Sequence, residues 1–481
     1  MTLVIASVHG KPPATVDGAD MIEIRADHLD PEKDIASIQE WLEAATLPTI
    51  FTVRSGEEGG SFYGNDAQRV LMLTAALESA RPPKYIDIEY EIFSKQPWLI
   101  DELPLGDCGI ILSWHDLSGR PDDLFQKAAA MQDVAGISVV KMVWRARSLR
   151  DNLDAFELLQ TRQQPMIALC LGPFGLMSRV LSPKFGGFGT FTTLDGYDAT
   201  AEGQLTATEL RSKYVFGSLN SATKVFGVIG DNVEHSASPQ YHNAAFAEAD
   251  VNAVYLPLHV PKGWEHFKAT TLSLMQDDRL DFCGASITIP HKENMLKLTK
   301  EENGDIDPWC EEIGAVNTVS TLQGFVATNT DADAFVSLLG APKRVLILGA
   351  GGVARAATAA AIKLGAEVVI VARRTTSASS LANEFNCEHG IEQCNNISHI
   401  INCTPVGTSF GSEIEDDPLL ALAPDVVLHK DMVVFDTVYM PEQTPLLIRA
   451  KDAGCTCITG AELFRKQAAA QQVFWARHAE K

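Results

Sequence analysis

The chain has 481 residues, too many for one ordinary hydrophobic core, and its 46% hydrophobic and 21% charged content is that of a water-soluble globular protein of about three domains. A formal net charge of -23 weighs against nucleic acid or anionic membrane as a partner, and no apolar run approaches the ~20 residues of a membrane span. The same charge repels an anionic substrate, so a site that takes a carboxylate must supply local arginines.

Residues 1–10 show no secretory or organellar leader pattern, which points to the cytoplasm. Nine cysteines, an odd number without a CxxC pair, fit reduced thiols; Cys455 and Cys457 are too few ligands for zinc, and no metal is expected.

The first 200 residues contain eight short apolar or β-branched runs: LVIASV, MIEIRA, TIFTVR, YIDIEY, GIILSW, ISVVKMV, PMIALCL and GTFTTL. Between most of them lie stretches such as DIASIQEWLEAA and DAQRVLMLTAALESA, whose apolar residues recur at helical steps. Alternation of this kind predicts parallel βα units, and eight of them a closed (β/α)8 barrel over residues 1–212. Residues 213–223 are small and polar without a period and predict a linker.

A new strand, KVFGVIG, opens a second α/β domain over residues 224–340. A third pattern follows over 341–458: strand VLIL, glycine loop GAGGVA, helix RAATAAAIKL, Gly365 as a stop, then strand EVVIVA. That is a dinucleotide-binding half-fold. Residues 459–481 predict a helix that returns to the domain of residues 224–340.

Barrel chemistry sits at the C-terminal strand ends, so ionisable residues there are candidates. Glu23 and Arg25 share a face, as do Asp87 and Glu89; Arg54 closes its strand, His115 follows GIILSW, and Lys141 lies inside ISVVKMV. A lysine among apolar strand residues favours the neutral amine, a nucleophile toward ketones, if its neighbours lower its ordinary value of about 10.4 by ~2 to 3 units. The bland alternative is a structural lysine paired to Glu89 or Asp87.

The ordered set EIRADHLD, TVRSGEEGG, IDIEYE, SWHD, VVKM, LMSR and TAEGQL resembles the type I 3-dehydroquinate dehydratase family across nearly the whole barrel. The resemblance implies that Lys141 forms a Schiff base with the ketone of 3-dehydroquinate. His115 then takes the adjacent proton and returns one to the departing hydroxyl, with Glu89 orienting it. Arg179 would clamp the substrate carboxylate, helped by Arg54; Ser7, Glu23, Arg25 and Gln204 would hold hydroxyls and carboxylate, and Thr200 is a further candidate contact. The segments around Glu58 to Gly60 and before Gln204 are candidate lids. One departure stands out: Glu202 occupies a position where the family usually has proline, adding a negative charge near an anionic substrate.

In the glycine loop, Gly349, Ala350, Gly351, Gly352 and Val353 follow a strand and open a helix, the context a dinucleotide fingerprint needs, although a ligand-free turn remains the plain alternative. Where NAD enzymes place an acid, this chain has Arg373 and Arg374 followed by Thr375, which favours the 2'-phosphate of NADP.

HSASP, ASITIPHK, GAVNT, NTDAD, TPVGT, DTVYMP and GAELFRKQA together resemble the shikimate dehydrogenase family over residues 224–475. By that resemblance Ser236 and Ser238 bind the substrate carboxylate, Thr288, Asn317 and Gln467 hold ring hydroxyls, and Lys292 and Asp331 form the catalytic pair. Tyr439 lies near substrate and Gly460 near the nicotinamide. Read singly, Lys292 is a solvated lysine at a helix start and Asp331 a helix cap. The combined expectation is an α/β protein with two consecutive activities. It dehydrates 3-dehydroquinate and reduces 3-dehydroshikimate with NADPH, as a monomer or homodimer; the alternative is a C-terminal half that acts on quinate or a related cyclohexane alcohol.

Overall fold

The computed structural model describes residues 1–409 and 414–479, which form two compact bodies. The first holds Met1–Val225 with Phe246–His259 and Gln276–Asp281; the second holds Phe226–Ala245, Val260–Met275 and the chain from Phe282.

Eight strands build the first body: β1 Leu3–His9, β2 Met21–Arg25, β3 Thr49–Thr52, β4 Tyr85–Glu89, β5 Gly109–Asp116, β6 Val139–Arg145, β7 Met166–Leu171 and β8 Gly189–Thr192. All pair in parallel in the order β7-β6-β5-β4-β3-β2-β1-β8, a (β/α)8 barrel whose β7 to β8 seam is bridged by the Phe188 N–H donating to the Met166 carbonyl at 2.8 Å. The intervening helices form where the apolar period predicts them. Helix Ile35–Ala44 buries Ile38 and Leu42, four apart on one face. Helix Asp66–Leu77 starts at a capping box, the Asn65 side chain accepting from the Gln68 N–H and the Gln68 side chain from the Asn65 N–H.

Strand alternation stacks the barrel interior in layers. An apolar plug of Ile5, Met21, Ile50, Ile111 and Val139 fills the base. Two residues further along the same strands stand Ser7, Glu23, Thr52, Ser113 and Lys141, and the ladder sets Ser7 opposite Glu23 and Ser113 opposite Lys141. The polar layer is therefore the next step of the pleat above an apolar floor.

Residues 213–223, expected as a linker, are partly ordered. Helix Ala207–Lys213 and a single turn at Phe216–Ser218 carry them, Tyr214 and Phe216 are buried, and the Lys184 ammonium donates to the Ser221 and Thr223 carbonyls. Their apolar residues are too few to show a period, yet Tyr214, Phe216 and Leu219 are buried, and burial rather than periodicity orders the segment.

Further strands are β9 Lys224–Gly230, β10 Ala253–His259, whose residues fall in the first body, β11 Phe282–Ile287, β12 Asp305–Ile306, β13 Thr318–Ser320 and β14 Val326–Thr328. In the second body β9, β11, β13, β14 and β12 follow one another in one sheet, with β13 antiparallel to both neighbours. A second sheet contains β15 Arg344–Leu348, β16 Glu367–Val371, β17 Glu388–His389, β18 His399–Asn402, β19 Val433–Asp436 and β20 Thr456–Ile458, in the doubly wound order β17-β16-β15-β18-β19-β20. Its near-continuous apolar strands divide between two faces. Val345, Ile347 and Ile370 pack with the alanines of helix Gly352–Lys363, whereas Leu346, Leu348 and Val369 pack with Leu419, Leu446 and Leu447. Helix Gly460–Ala479 docks on the first of these two sheets through Trp475, whose indole N–H donates to the Val319 carbonyl at 2.9 Å.

Among the described residues no helix is long and apolar enough to cross a membrane, and no group of three His, Cys, Asp or Glu side chains is placed to hold a metal ion. All nine cysteines are free.

Candidate active sites

A cavity of about 210 Å³ opens at the C-terminal ends of the barrel strands, lined by Ser7, Glu23, Arg25, Arg54, His115, Lys141, Arg179, Thr200 and Gln204 among others. A larger cavity of about 740 Å³ lies around Thr2, Pro165 and Phe188, before β1, β7 and β8, and contains none of the residues singled out in the sequence.

Lys141 stands at the centre of a buried ionic cluster. Its ammonium lies 3.2 Å from Asp87 and 3.6 Å from Glu23, and 4.0 Å over the Phe191 ring. Glu23 is held in turn by the Ser7 and Thr52 hydroxyls at 2.6 and 2.9 Å. Arg54 pairs with Asp87 at 2.7 Å and donates to Ser113 at 2.7 Å, with Glu58 and Glu89 at 3.4 and 3.3 Å. The structure thus sets carboxylates against Lys141, and Arg54 faces inward to the same Asp87. Against the upward push of burial, Arg54 and Lys141 hold the Asp87 carboxyl below its ordinary range.

The carboxylate on His115 is Glu58, not Glu89. Glu58 Oε2 lies 2.8 Å from His115 Nδ1. Glu89 instead accepts from the Ser55 N–H and hydroxyl at 2.8 and 3.0 Å and lies 3.5 Å from Arg69. The single turn Gly56–Glu58 swings Glu58 back over the mouth, and Gly60 permits it: a Cβ there would meet the Arg54 carbonyl oxygen at 2.1 Å. Burial raises the Glu58 carboxyl to about 8, and burial with the nearby Arg54, Lys141 and Arg25 cations drives His115 well below its ordinary value. Burial of both groups among cations favours one proton shared by the pair at neutral pH. With that proton counted, Glu23, Asp87 and Glu89 balance Arg54, Arg69 and Lys141.

Among the arginines of the cavity, Arg25 is bound by Asp27 at 2.8 and 3.2 Å, and Arg145 by Glu202 at 2.7 Å. Arg179 differs. It donates to the Phe191 carbonyl at 3.1 Å, its Nε has no partner within the protein, and no carboxylate pairs with it among the described residues. Burial lowers it to about 10. The Gln204 amide oxygen accepts from the Thr200 N–H, the Thr200 hydroxyl and the Ala201 N–H at 2.9 to 3.2 Å, so the Thr200 hydroxyl is engaged inside its own loop.

In the second body a cavity of about 390 Å³ gathers Ser236, Ser238, Thr288, Lys292, Asn317, Asp331, Tyr439, Gly460 and Gln467. Lys292 and Asp331 are both buried and joined in an ion pair. Neither plain reading fits the geometry: Lys292 is not solvated, and the cap of helix Thr330–Leu339 is Asn329, whose side chain accepts from the Ala332 N–H at 3.3 Å. Asn317 is locked by the Thr330 N–H at 2.8 Å and the Thr318 hydroxyl at 2.8 Å. The Ser238 N–H donates to the Ser236 hydroxyl at 3.2 Å, at the start of helix Ser238–Glu248. Burial raises the Tyr439 phenol, against bonds to Ser236 and the Ala237 backbone.

The sequence reading missed Gln471, which also lines this cavity and bridges the Ser286 hydroxyl and Thr318 at 2.8 and 3.0 Å. It stands four residues after Gln467 on one helix, hence on the same face, and that spacing was a readable signal.

A third cavity of about 370 Å³ is lined by Gly349, Ala350, Gly351, Arg373 and Arg374, by Thr404 and Pro405 of the TPVGT motif, and by Ser377, which sequence reasoning had not singled out. Gly349 has φ +114°, and a Cβ there would meet the Cys403 carbonyl at 3.0 Å. Gly352 and Val353 form the first turn of the following helix, and Thr375 begins helix Thr375–Phe385 rather than lining the cavity. Gly460 belongs to the substrate-side cavity because its Cα packs on the Val438 carbonyl, where a Cβ would come within 2.3 Å. Ile289 and Pro405 line both cavities and form the threshold between them. A glycine-lined helix start with two guanidiniums at the next strand end suits a phosphorylated dinucleotide.

Residues 12–220 match the family described as Type I 3-dehydroquinase, and residues 228–319 match the shikimate dehydrogenase substrate binding domain. The chain is 33% identical to the chloroplastic bifunctional 3-dehydroquinate dehydratase/shikimate dehydrogenase of Arabidopsis thaliana, over 94% of this chain and 76% of that one. It is 37% identical to the shikimate dehydrogenase (NADP(+)) of Methanocella arvoryzae, over 52% of this chain and 92% of that one. A solved shikimate 5-dehydrogenase of Thermus thermophilus in complex with NADP(H) and shikimate is 29% identical over 53% of this chain and 94% of that one, with a TM-score of 0.45. Matched along nearly its whole length by a relative that carries both units, the chain belongs to the bifunctional 3-dehydroquinate dehydratase/shikimate dehydrogenase family.

Proposed function

We propose that the barrel converts 3-dehydroquinate to 3-dehydroshikimate through an imine on Lys141, and that the second body reduces that product to shikimate with NADPH. The observation that carries the reading is the placement of Lys141 and the His115–Glu58 pair on one 210 Å³ cavity that also holds Arg179, a cation with no carboxylate partner among the described residues. Asp87 and Glu23 are placed to take the proton that Lys141 must shed before its nitrogen attacks the ketone carbon. Water leaves as the C=N bond forms, and the imine draws electrons from the neighbouring carbon. His115, its Nδ1 fixed by Glu58, takes the C2 proton at Nε2 and returns it to the C1 oxygen, which departs as water. Hydrolysis of the imine restores Lys141. Arg179 pairs with the substrate carboxylate, and Gln204, with Thr200 tied to it, closes the mouth.

In the second body Ser236 and Ser238 take the carboxylate at a helix start, while Thr288, Asn317, Gln467 and Gln471 line the ring. Gly349 to Val353 hold the pyrophosphate and Arg373 and Arg374 the 2'-phosphate. NADPH, when bound, supplies the hydride. Lys292 and Asp331 deliver the proton to the carbonyl oxygen that becomes the hydroxyl. The boundaries 1–212, 213–223, 224–340, 341–458 and 459–481 and a cytoplasmic setting belong to the same proposal, the latter supported by nine free cysteines.

One assay tests both halves: with 3-dehydroquinate and NADPH supplied together, enone absorbance and NADPH loss should appear in sequence. Borohydride added with 3-dehydroquinate should add mass to Lys141, and an unmodified Lys141 beside normal dehydration would defeat the imine assignment. Lys292→Ala should abolish reduction and leave dehydration intact.

A further inference from the structure

Behind the His115–Glu58 pair lies a separate cavity of about 460 Å³. Its floor, made by Glu58, Phe62, Arg69, Glu89 and Trp114, is buried, and its rim, made by Glu57, Tyr63, Gly64 and Lys95, is exposed. It therefore runs from solvent down to the pair. His115 and Glu58 line both this cavity and the substrate cavity, so they form the partition between the two.

The floor residues carry three buried polar atoms with no hydrogen-bond partner among the described residues: Glu58 Oε1, Arg69 Nε and Glu89 Oε2. Such atoms are costly to leave unpaired unless water reaches them, and a polar space this size admits water. The mouth of the substrate cavity is covered differently: the Glu202 carboxylate is bound to Arg145, and the Glu202 carbonyl accepts from the Gly172 N–H at 3.4 Å. A substrate seated beneath that loop obstructs the direct path from His115 to solvent.

We propose that the side cavity is the passage through which the proton and the water of dehydration reach solvent while substrate fills the barrel mouth. This rests on the dehydratase reading above. The C2–H bond breaks with its proton passing to His115 and its electrons to the C2–C3 bond of an enamine. Those electrons then expel the C1 oxygen, which takes the proton from His115 and leaves as water. A second water is released when the imine forms and consumed when it is hydrolysed, so water moves in both directions in each turnover.

Ile92 lines the side cavity and not the substrate cavity, and Lys95 stands exposed on its rim. Ile92→Trp should fill the passage. Lys95→Trp should cap it from a position that tolerates bulk. With unlabelled 3-dehydroquinate in D2O, quenched early, the deuterium at C2 of recovered substrate divided by product formed reports exchange of the His115 proton. That ratio should fall several-fold in both variants, while borohydride still adds substrate mass to Lys141. A ratio unchanged in both variants overturns the passage, and so does wild-type protein whose recovered substrate stays unlabelled. Wild-type Lys141 that takes no mass would instead defeat the imine reading, a separate failure.

Discussion

Glu58 and His115 lie 2.8 Å apart, and the number of protons on the pair decides what the pair can do. To accept a proton from carbon, His115 Nε2 must be bare, which requires Nδ1–H to face an ionised Glu58. One proton more on the Nδ1–Oε2 contact, on either atom, leaves Nε2 occupied. Burial raises Glu58 to about 8, so kcat/KM for dehydration should climb with pH toward that value and level off above it. Glu58→Gln should lower kcat by about 10²-fold, the usual weight of an acid–base partner, and displace the climbing limb. Stability runs the other way. A carboxyl whose value rises on folding stabilises fully below its unfolded value and loses that contribution as pH rises through about 8. Melting curves of Glu58→Gln should therefore decline less steeply than wild type between the ordinary carboxyl range and about pH 8, and run parallel to it above. The strand period put Glu89 on the inward face correctly, yet could not show that Ser55 and Arg54 occupy it. Glu58 lies in a turn, where direction depends on backbone angles that spacing does not encode.

At the scale of the element, the loop of residues 200–204 shows how a charge change is absorbed. Sequence comparison within the family left Glu202 as an added negative charge beside an anionic substrate; in the fold Arg145, at the end of β6, meets it at 2.7 Å. Both side chains are about half exposed, at 45% and 53%, so the pair itself is worth ~0–1 kcal/mol. Its larger effect is to cancel a charge. Arg145→Gln should unmask Glu202 and raise KM for 3-dehydroquinate by roughly fivefold, about 1 kcal/mol of like-charge repulsion in a water-exposed setting. Glu202→Gln should not raise it, and equal rises in the two variants would show a mechanical latch instead. The strands and most barrel helices were legible because each has a clean period of two or of three to four. Arg145 was not, since its pairing joins loops 57 residues apart on different βα units, a register that only barrel closure creates.

Across the whole molecule, the charge of -23 acts on two sites that meet it with different kinds of cation. Arg179 is buried in the barrel cavity, whereas Arg373 and Arg374 stand exposed beside the glycine loop. Salt screens exposed charges within ~8–10 Å and buried ones far less. Raising ionic strength should therefore weaken the general repulsion of 3-dehydroquinate while leaving its contact with Arg179 largely in place, so kcat/KM for dehydration should rise. For NADPH, whose 2'-phosphate is proposed to meet the exposed arginines, the same salt should screen the local attraction as well as the general field. The local term is the closer of the two and decides the sign, so KM for NADPH should rise with salt. Measured on one preparation at low and moderate potassium chloride, the two constants should thus show opposite effects of salt, dehydration improving as reduction at limiting NADPH declines. A parallel fall in both would mean that exposed arginines, and not Arg179, dominate capture at the barrel.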